Sequence, residues 1–296
     1  SEQVMTSLDG RATVIRTARG EVQLGREGRG RPVLASHGGP GGFDQGLADC
    51  RHLRVGGCEI LAPSRPGYLC TPLHSGPSPE NQADLYAAML DALEIDRAAI
   101  LGFSSGGPSA AHFAARHPDR TTALFLDAAI VLPFVPAIGR LRRAAFESSF
   151  VVWLSYQLAS RTPERLTRFM MDGVSEGLDE EQKKAAVDWI ASDPARLRNI
   201  QEQWLSIAPR GPRRPGWTND QAVEADLEPL PFAGITAPTL IAWGANVAIV
   251  PGEHATTAAN EISGAELMIV DEGHHLLSSS RYYEPVARWQ RELAQA

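Results

Sequence analysis

The sequence predicts a doubly wound α/β architecture, a mostly parallel sheet with an inserted helical cap, and three observations carry that expectation. Short, continuous apolar runs end in turn-rich loops, helical patterning follows most of them, and about a hundred residues between Asp127 and Thr239 break the alternation. Continuous apolar runs suit strands covered on both faces, as in a parallel sheet. Strand, loop and helix in repetition give the doubly wound order.

Ala12 to Glu27 alternates short β-rich stretches around Arg19-Gly20, which predicts an antiparallel hairpin. The parallel-type runs are Pro32–Ser36, Glu59–Ala62, Ala98–Phe103, Ala123–Leu126, Thr239–Trp243 and Leu267–Val270. Between them, Pro79–Leu93 opens with Pro and Glu and sets Leu85, Met89, Leu90 and Leu93 on one helical face. Ser105–Arg116, rich in small residues, predicts a helix able to lie close to the sheet, and Gly252–Ile262 and Tyr282–Leu293 complete the set.

Arg140–Ser160, Pro163–Met171, Asp179–Ala191 and Pro194–Ser206 carry helical patterning within the interruption, which is too long for a structureless loop. The expected organisation is therefore a core over 1–132, a cap with its connector over 133–235, and the rest of the core over 236–296. Ala208 to Gly216, with three prolines and two glycines, reads as a turn-rich connector returning to the sheet.

Composition narrows the function classes. The chain has 296 residues, 43% hydrophobic and 21% charged, which excludes a mainly disordered, collagen-like or disulfide-stapled chain. A net charge of −7 argues against nucleic acid as the main partner. Cys50, Cys58 and Cys70 are odd in number and irregularly spaced, so neither a disulfide framework nor a zinc site is expected. The most apolar run, Ala123 to Gly139, is broken by Asp127, Pro133 and Pro136, so no membrane partner is expected. The start of the sequence shows no basic, then apolar, leader pattern, which makes a cytoplasmic location the default.

Gly102-Phe103-Ser104-Ser105-Gly106 fits G-x-S-x-G between an apolar strand and a helix. A strand that turns sharply into a helix strains the middle residue and presents its hydroxyl, while flanking glycines let the two arms approach. Ser104 is thus the candidate nucleophile. The alternative is a glycine-rich turn that only binds an anion. His37-Gly38-Gly39-Pro40-Gly41-Gly42 follows an earlier strand, and such a loop can present backbone amides to an oxyanion. The candidate donors are the amides of Gly39 and Ser105, with His37 as a hydrogen-bonded structural residue. A serine hydroxyl needs a base near neutral pH. His274 in Asp271-Glu272-Gly273-His274-His275, after the last strand, is preferred over His275.

These residues resemble the α/β-hydrolase family with a helical cap, and HGGPGG with Ser64-Arg65-Pro66-Gly67-Tyr68 resembles its prolyl-iminopeptidase and epoxide-hydrolase-like branch. The resemblance spans nearly the whole chain outside the cap. It implies Ser104 as nucleophile, His274 as general base, and Gly39 with Ser105 as oxyanion hole. The departure is at the acid: where relatives commonly read G-x-x-D-x-x-V-P, this chain has Gly244-Ala245-Asn246-Val247. Valine cannot accept an imidazole N–H. Asp127, at a strand's carboxyl end, is the preferred substitute, and Asn246 or no acid at all are the alternatives.

The expected function is a serine hydrolase that cleaves small carboxylic esters through an acyl-enzyme, with no metal or organic cofactor. Trp153, Tyr156, Met170 and Trp204 are candidate substrate-binding residues, although aromatic residues at helical spacing suit the cap's own core equally. Glu176, Glu180, Glu181 and Glu202 can bind a substrate amino group or simply face solvent. The rival readings are a prolyl-iminopeptidase-like peptidase and a catalytically impaired, ligand-binding hydrolase fold.

Overall fold

A computed structural model of the chain describes residues 10–135, scattered positions between 148 and 168, 179–245, 250–270 and 275. Eight strands form one sheet in the order β1-β2-β4-β3-β5-β6-β7-β8. β1 (Ala12–Thr17) and β2 (Gly20–Gly28) make the expected hairpin, and β2 also runs antiparallel to β4 (Cys58–Pro63). From β4 onward all neighbours are parallel: β3 (Arg31–Ser36), β5 (Ala98–Phe103), β6 (Thr121–Asp127), β7 (Thr239–Gly244) and β8 (Glu266–Val270). Leu34, Leu61, Leu124 and Leu240, one on each of four strands, are fully buried, as covered parallel strands require.

The described helices are α1 (Phe43–Asp49), α2 (Arg51–Val55), α3 (Pro79–Ala92), α4 (Gly107–Arg116), α5 (Glu180–Ala191), α6 (Pro194–Leu205), α7 (Arg214–Ala225) and α8 (Glu253–Glu261). Ser78 caps α3 by accepting from Asn81 N, and Asp179 opens α5 with a capping box closed by Gln182. α3 and α4 stop within one or two residues of the ends their patterning predicts. The connector does not. Where a turn-rich return to the sheet was expected, Pro212 and Pro215 sit in the first turns of a 3₁₀ segment, Gly211–Arg213, and of α7. Proline is tolerated there because a first-turn N–H has no partner within the helix in any case. α1 and α2, packed beside β4, are also absent from the sequence-based reading; both are too short for a helical period to register. The expected helices over 140–160 and 163–171 lie mostly outside the described residues, and that over 282–293 entirely.

Between β3 and β5 the chain reverses its direction of travel across the sheet, since β3 leads out to β4 while β5 leads to β6. Crevices at the carboxyl ends of strands flanking such a switch are where open α/β sheets build their sites. The loops that leave β3 and β5 are HGGPGG and the turn at Ser104.

Candidate active site

Ser104 has φ +49, a left-handed conformation that a residue with a Cβ adopts only under constraint. The constraint is visible at the surrounding glycines. A Cβ on Gly102 would lie 2.6 Å from the Cβ of Ala110 on α4, and one on Gly106 would lie 2.1 Å from the carbonyl oxygen of Ser36 on β3. The elbow therefore closes only because both positions lack side chains. Its carbonyl is held by Ile130 N at 3.0 Å. Ser104 is buried, 6% exposed.

The HGGPGG loop packs directly on this elbow. A Cβ on Gly38 would meet the Ser104 Cβ at 3.1 Å, and one on Gly39 would meet the Ser105 Oγ at 3.0 Å. Gly39 and Ser105, predicted as a pair, are thus neighbours across the switch point. Gly38 N donates to Gln45 Oε1 at 2.8 Å and Gly41 N closes a turn onto the Gly38 carbonyl at 2.9 Å, so the loop is internally tied.

His37 has the structural part expected of it. Its Nδ1 donates to the Gly38 carbonyl (2.7 Å) and its Nε2 accepts from Arg65 N (2.9 Å), a bonding pattern that requires the neutral ring. Burial, and after it the Arg65 charge, keep its pKa well below the ordinary imidazole range. With both nitrogens committed, it cannot act as a base.

Asp127 ends β6 in register with Phe103, which places it one strand from Ser104, and it is buried. The expected base, His274, and the acid-loop positions Asn246 and Val247 lie outside the described residues. The adjacent His275 is buried, with its ring 5.3 Å from that of Phe103, the residue before the nucleophile. Trp153, Tyr156, Met170 and Glu176 are likewise outside the described residues. Trp204 is buried on α6, Glu202 pairs with Arg51, and Glu180 and Glu181 face solvent.

Sequence reasoning missed the acidic partners of this site. Arg65, 1% exposed, donates Nη1 to Asp220 Oδ1 at 2.9 Å, and the Tyr68 hydroxyl donates to Asp220 Oδ2 at 2.5 Å. A buried arginine in Ser64-Arg65-Pro66-Gly67-Tyr68 demands a carboxylate, but nothing in the sequence says which. One turn further along α7, Glu224 is buried beside Ser105. Burial, reinforced by the Asp220 charge, raises the Glu224 pKa above the ordinary carboxylate range. Its Oε1 and the Oε1 of Gln82 find no partner among the described residues, and both side chains line a narrow cleft beside Ser105.

The alpha/beta hydrolase fold family model matches residues 31–280. An alpha/beta hydrolase fold protein from Nakamurella multipartita superposes with a TM-score of 0.90 at 37% identity, covering 96% of this chain and 100% of that one. Among curated proteins, the uncharacterized hydrolase YcgS of Bacillus subtilis is 25% identical over 264 residues, 87% of this chain and 89% of that protein. The 2-hydroxy-6-oxo-2,4-heptadienoate hydrolase of Pseudomonas putida is 28% identical over 220 residues, 65% and 76% of the respective chains. The chain belongs to the α/β-hydrolase fold family.

Proposed function

We propose that the protein is a serine hydrolase that cleaves small carboxylic esters through an acyl-enzyme on Ser104. The observation that carries this reading is the strained Ser104, held at φ +49 with Gly38 and Gly39 packed against it and its neighbour Ser105. That arrangement supports Ser104 as the nucleophile, with the Gly39 and Ser105 amides as the oxyanion donors that acyl transfer requires.

In the proposed reaction His274 takes the Ser104 proton as Oγ bonds to the ester carbonyl carbon. The amides of Gly39 and Ser105 stabilise the oxyanion. The C–O bond to the alcohol then breaks, and His274 returns the proton to the departing oxygen. Water, deprotonated by the same imidazole, attacks the acyl carbon and releases the carboxylic acid with Ser104 regenerated. Asp127 accepts the N–H of the His274 ring and fixes its tautomer, supported by its position one strand from the nucleophile. Trp153, Tyr156, Met170 and Trp204 form the apolar wall for the acyl group, and the substrate is a small molecule handled in the cytoplasm without metal or cofactor.

The test is turnover of short-chain p-nitrophenyl esters by purified protein, with fluorophosphonate labelling of Ser104. Release of p-nitrophenol that Ser104→Ala abolishes, with loss of the label, is the expected result. Failure of the wild type on both counts overturns the reading. Preferential cleavage of proline arylamides selects a peptidase instead.

A further inference from the structure

Arg213, Trp217, Asp220 and Glu224 recur at spacings of four, three and four, so they form a single stripe running from the 3₁₀ turn into α7. Arg213, Trp217 and Glu224 each lie against one of the two loops that frame Ser104, and Asp220 reaches the glycine loop through Arg65. Arg213 is fully buried; its Nη1 donates to the Gly41 carbonyl at 2.6 Å and to Asp44 at 3.0 Å, and Nη2 reaches the other Asp44 oxygen at 2.8 Å. The Trp217 ring covers Gly39 so closely that a Cβ there would lie 2.6 Å from Cζ3. Asp220 grips Arg65, whose Nε donates to the His37 carbonyl at 2.8 Å at the root of the same loop. Glu224 is buried and lines the same narrow cleft as Ser105, on the opposite arm.

An apolar stripe would dock a helix at lower cost, because burying charges forfeits hydration that pairing only partly returns. What the polar stripe supplies is geometry. The hydrogen bonds of Arg213 and those relayed from Asp220 through Arg65, with Trp217 and Glu224 packed beside the two arms, tie the glycine loop and the elbow to one helix beyond what the loop's internal bonds supply. We propose that this face of α7 is a brace for the oxyanion hole: Arg213, Trp217 and Asp220 hold the Gly39 arm, Glu224 holds the Ser105 arm, and together they keep the two amides at the separation a tetrahedral oxyanion needs. The proposal rests on the acyl-transfer reading above. The four are positioning residues, acting through the loops and not on the substrate.

The experiment uses the full chain with Glu224→Leu, Glu224→Gln, Trp217→Leu and Asp220→Asn. It measures kcat and KM on p-nitrophenyl butyrate, affinity for an alkyl trifluoromethyl ketone that forms a tetrahedral adduct, and affinity for the matching alcohol that cannot. Glu224→Leu and Trp217→Leu should lower kcat about 10- to 100-fold, less than the loss expected when a donor is removed outright. KM should stay within about threefold, ketone affinity should fall in proportion to kcat, and alcohol affinity should not change. Glu224→Gln, which keeps a hydrogen-bonding amide near Ser105, should recover most of the loss. Asp220→Asn should behave like Glu224→Leu; if it does not fold, the other variants decide. Folded variants with wild-type kcat, a change in KM alone, or a fall in kcat with unchanged ketone affinity would each overturn the brace while leaving the acyl-transfer reading intact. A wild type that hydrolyses no ester and takes no label overturns both.

Discussion

At the scale of single residues, the chemistry turns on what orients the base. Neighbouring parallel strands lie roughly 4.8 Å apart, and Asp127 stands opposite Phe103 in that register. A carboxylate there lies beside the nucleophile's strand, on the edge where the reaction is proposed to occur. Loss of the acid from a serine triad costs about 10⁴ in kcat, because the imidazole takes the wrong tautomer and its positive charge loses a partner. Asp127→Asn should therefore lower kcat on p-nitrophenyl esters by about 10³–10⁴, and Val247→Asp should change it by less than about fivefold. Strong activation by Val247→Asp with little loss in Asp127→Asn would assign the acid role to the other loop. A second residue-level expectation concerns the two adjacent histidines. His275 is packed on Phe103, so His275→Leu should alter stability more than rate, whereas His274→Ala should remove most activity; steady-state rates and urea midpoints separate the two.

At the scale of elements, what the sequence made legible was what repeats. β5 and the helix after it could be read because a fully apolar strand, a small-residue turn and a small-residue helix are each local signals, and the strained serine lies where they meet. α7 could not be read that way. Its inward stripe is Arg213, Trp217, Asp220 and Glu224, so a search for apolar periodicity misses the face that packs, and Pro212, Pro215 and Gly216 imitate a turn. The Arg65–Asp220 pair spans 155 positions, and no local pattern encodes a partner at that distance. The glycines of the elbow lend themselves to a direct test. Gly106 has an ordinary negative φ, so replacing it is a matter of space alone: the added Cβ would stand 2.1 Å from the Ser36 carbonyl oxygen in the middle of the sheet, where backbone cannot yield cheaply. Overpacking of this kind costs about 1–3 kcal/mol or more. Gly106→Ala should lower the free energy of unfolding in urea by at least that much, while Gly211→Ala, with no neighbouring atom within 4 Å of the added carbon, should be near neutral.

At the scale of the whole molecule, α6 is joined to the core at a buried carboxyl. α6 packs on α1, and Gln203 Nε2 donates to Asp49 Oδ1 across that junction, while Asp49 Oδ2 has no partner among the described residues. Burial pushes the Asp49 pKa up from 3.8 to about 7, against the lowering influence of the Gln203 bond. A carboxyl whose folded pKa lies above its unfolded one binds its proton more tightly when folded, so it favours folding fully below pH 4 and loses that contribution as pH rises toward 7. At about 1.4 kcal/mol per pKa unit the swing amounts to a few kcal/mol. His254, whose pKa burial lowers to about 4, has the opposite slope over about pH 4–6.5, so the total curve is not diagnostic. The difference between two proteins is. Asp49→Asn keeps an oxygen for Gln203 and removes the titration, so its stability relative to wild type should rise steadily from pH 4 to pH 7 and level off above. Urea unfolding at unit pH intervals measures this directly, and a stability difference that stays flat across the range would mean that Asp49 ionises in the folded protein as easily as in the unfolded chain, and that the junction between α1 and α6 carries no proton.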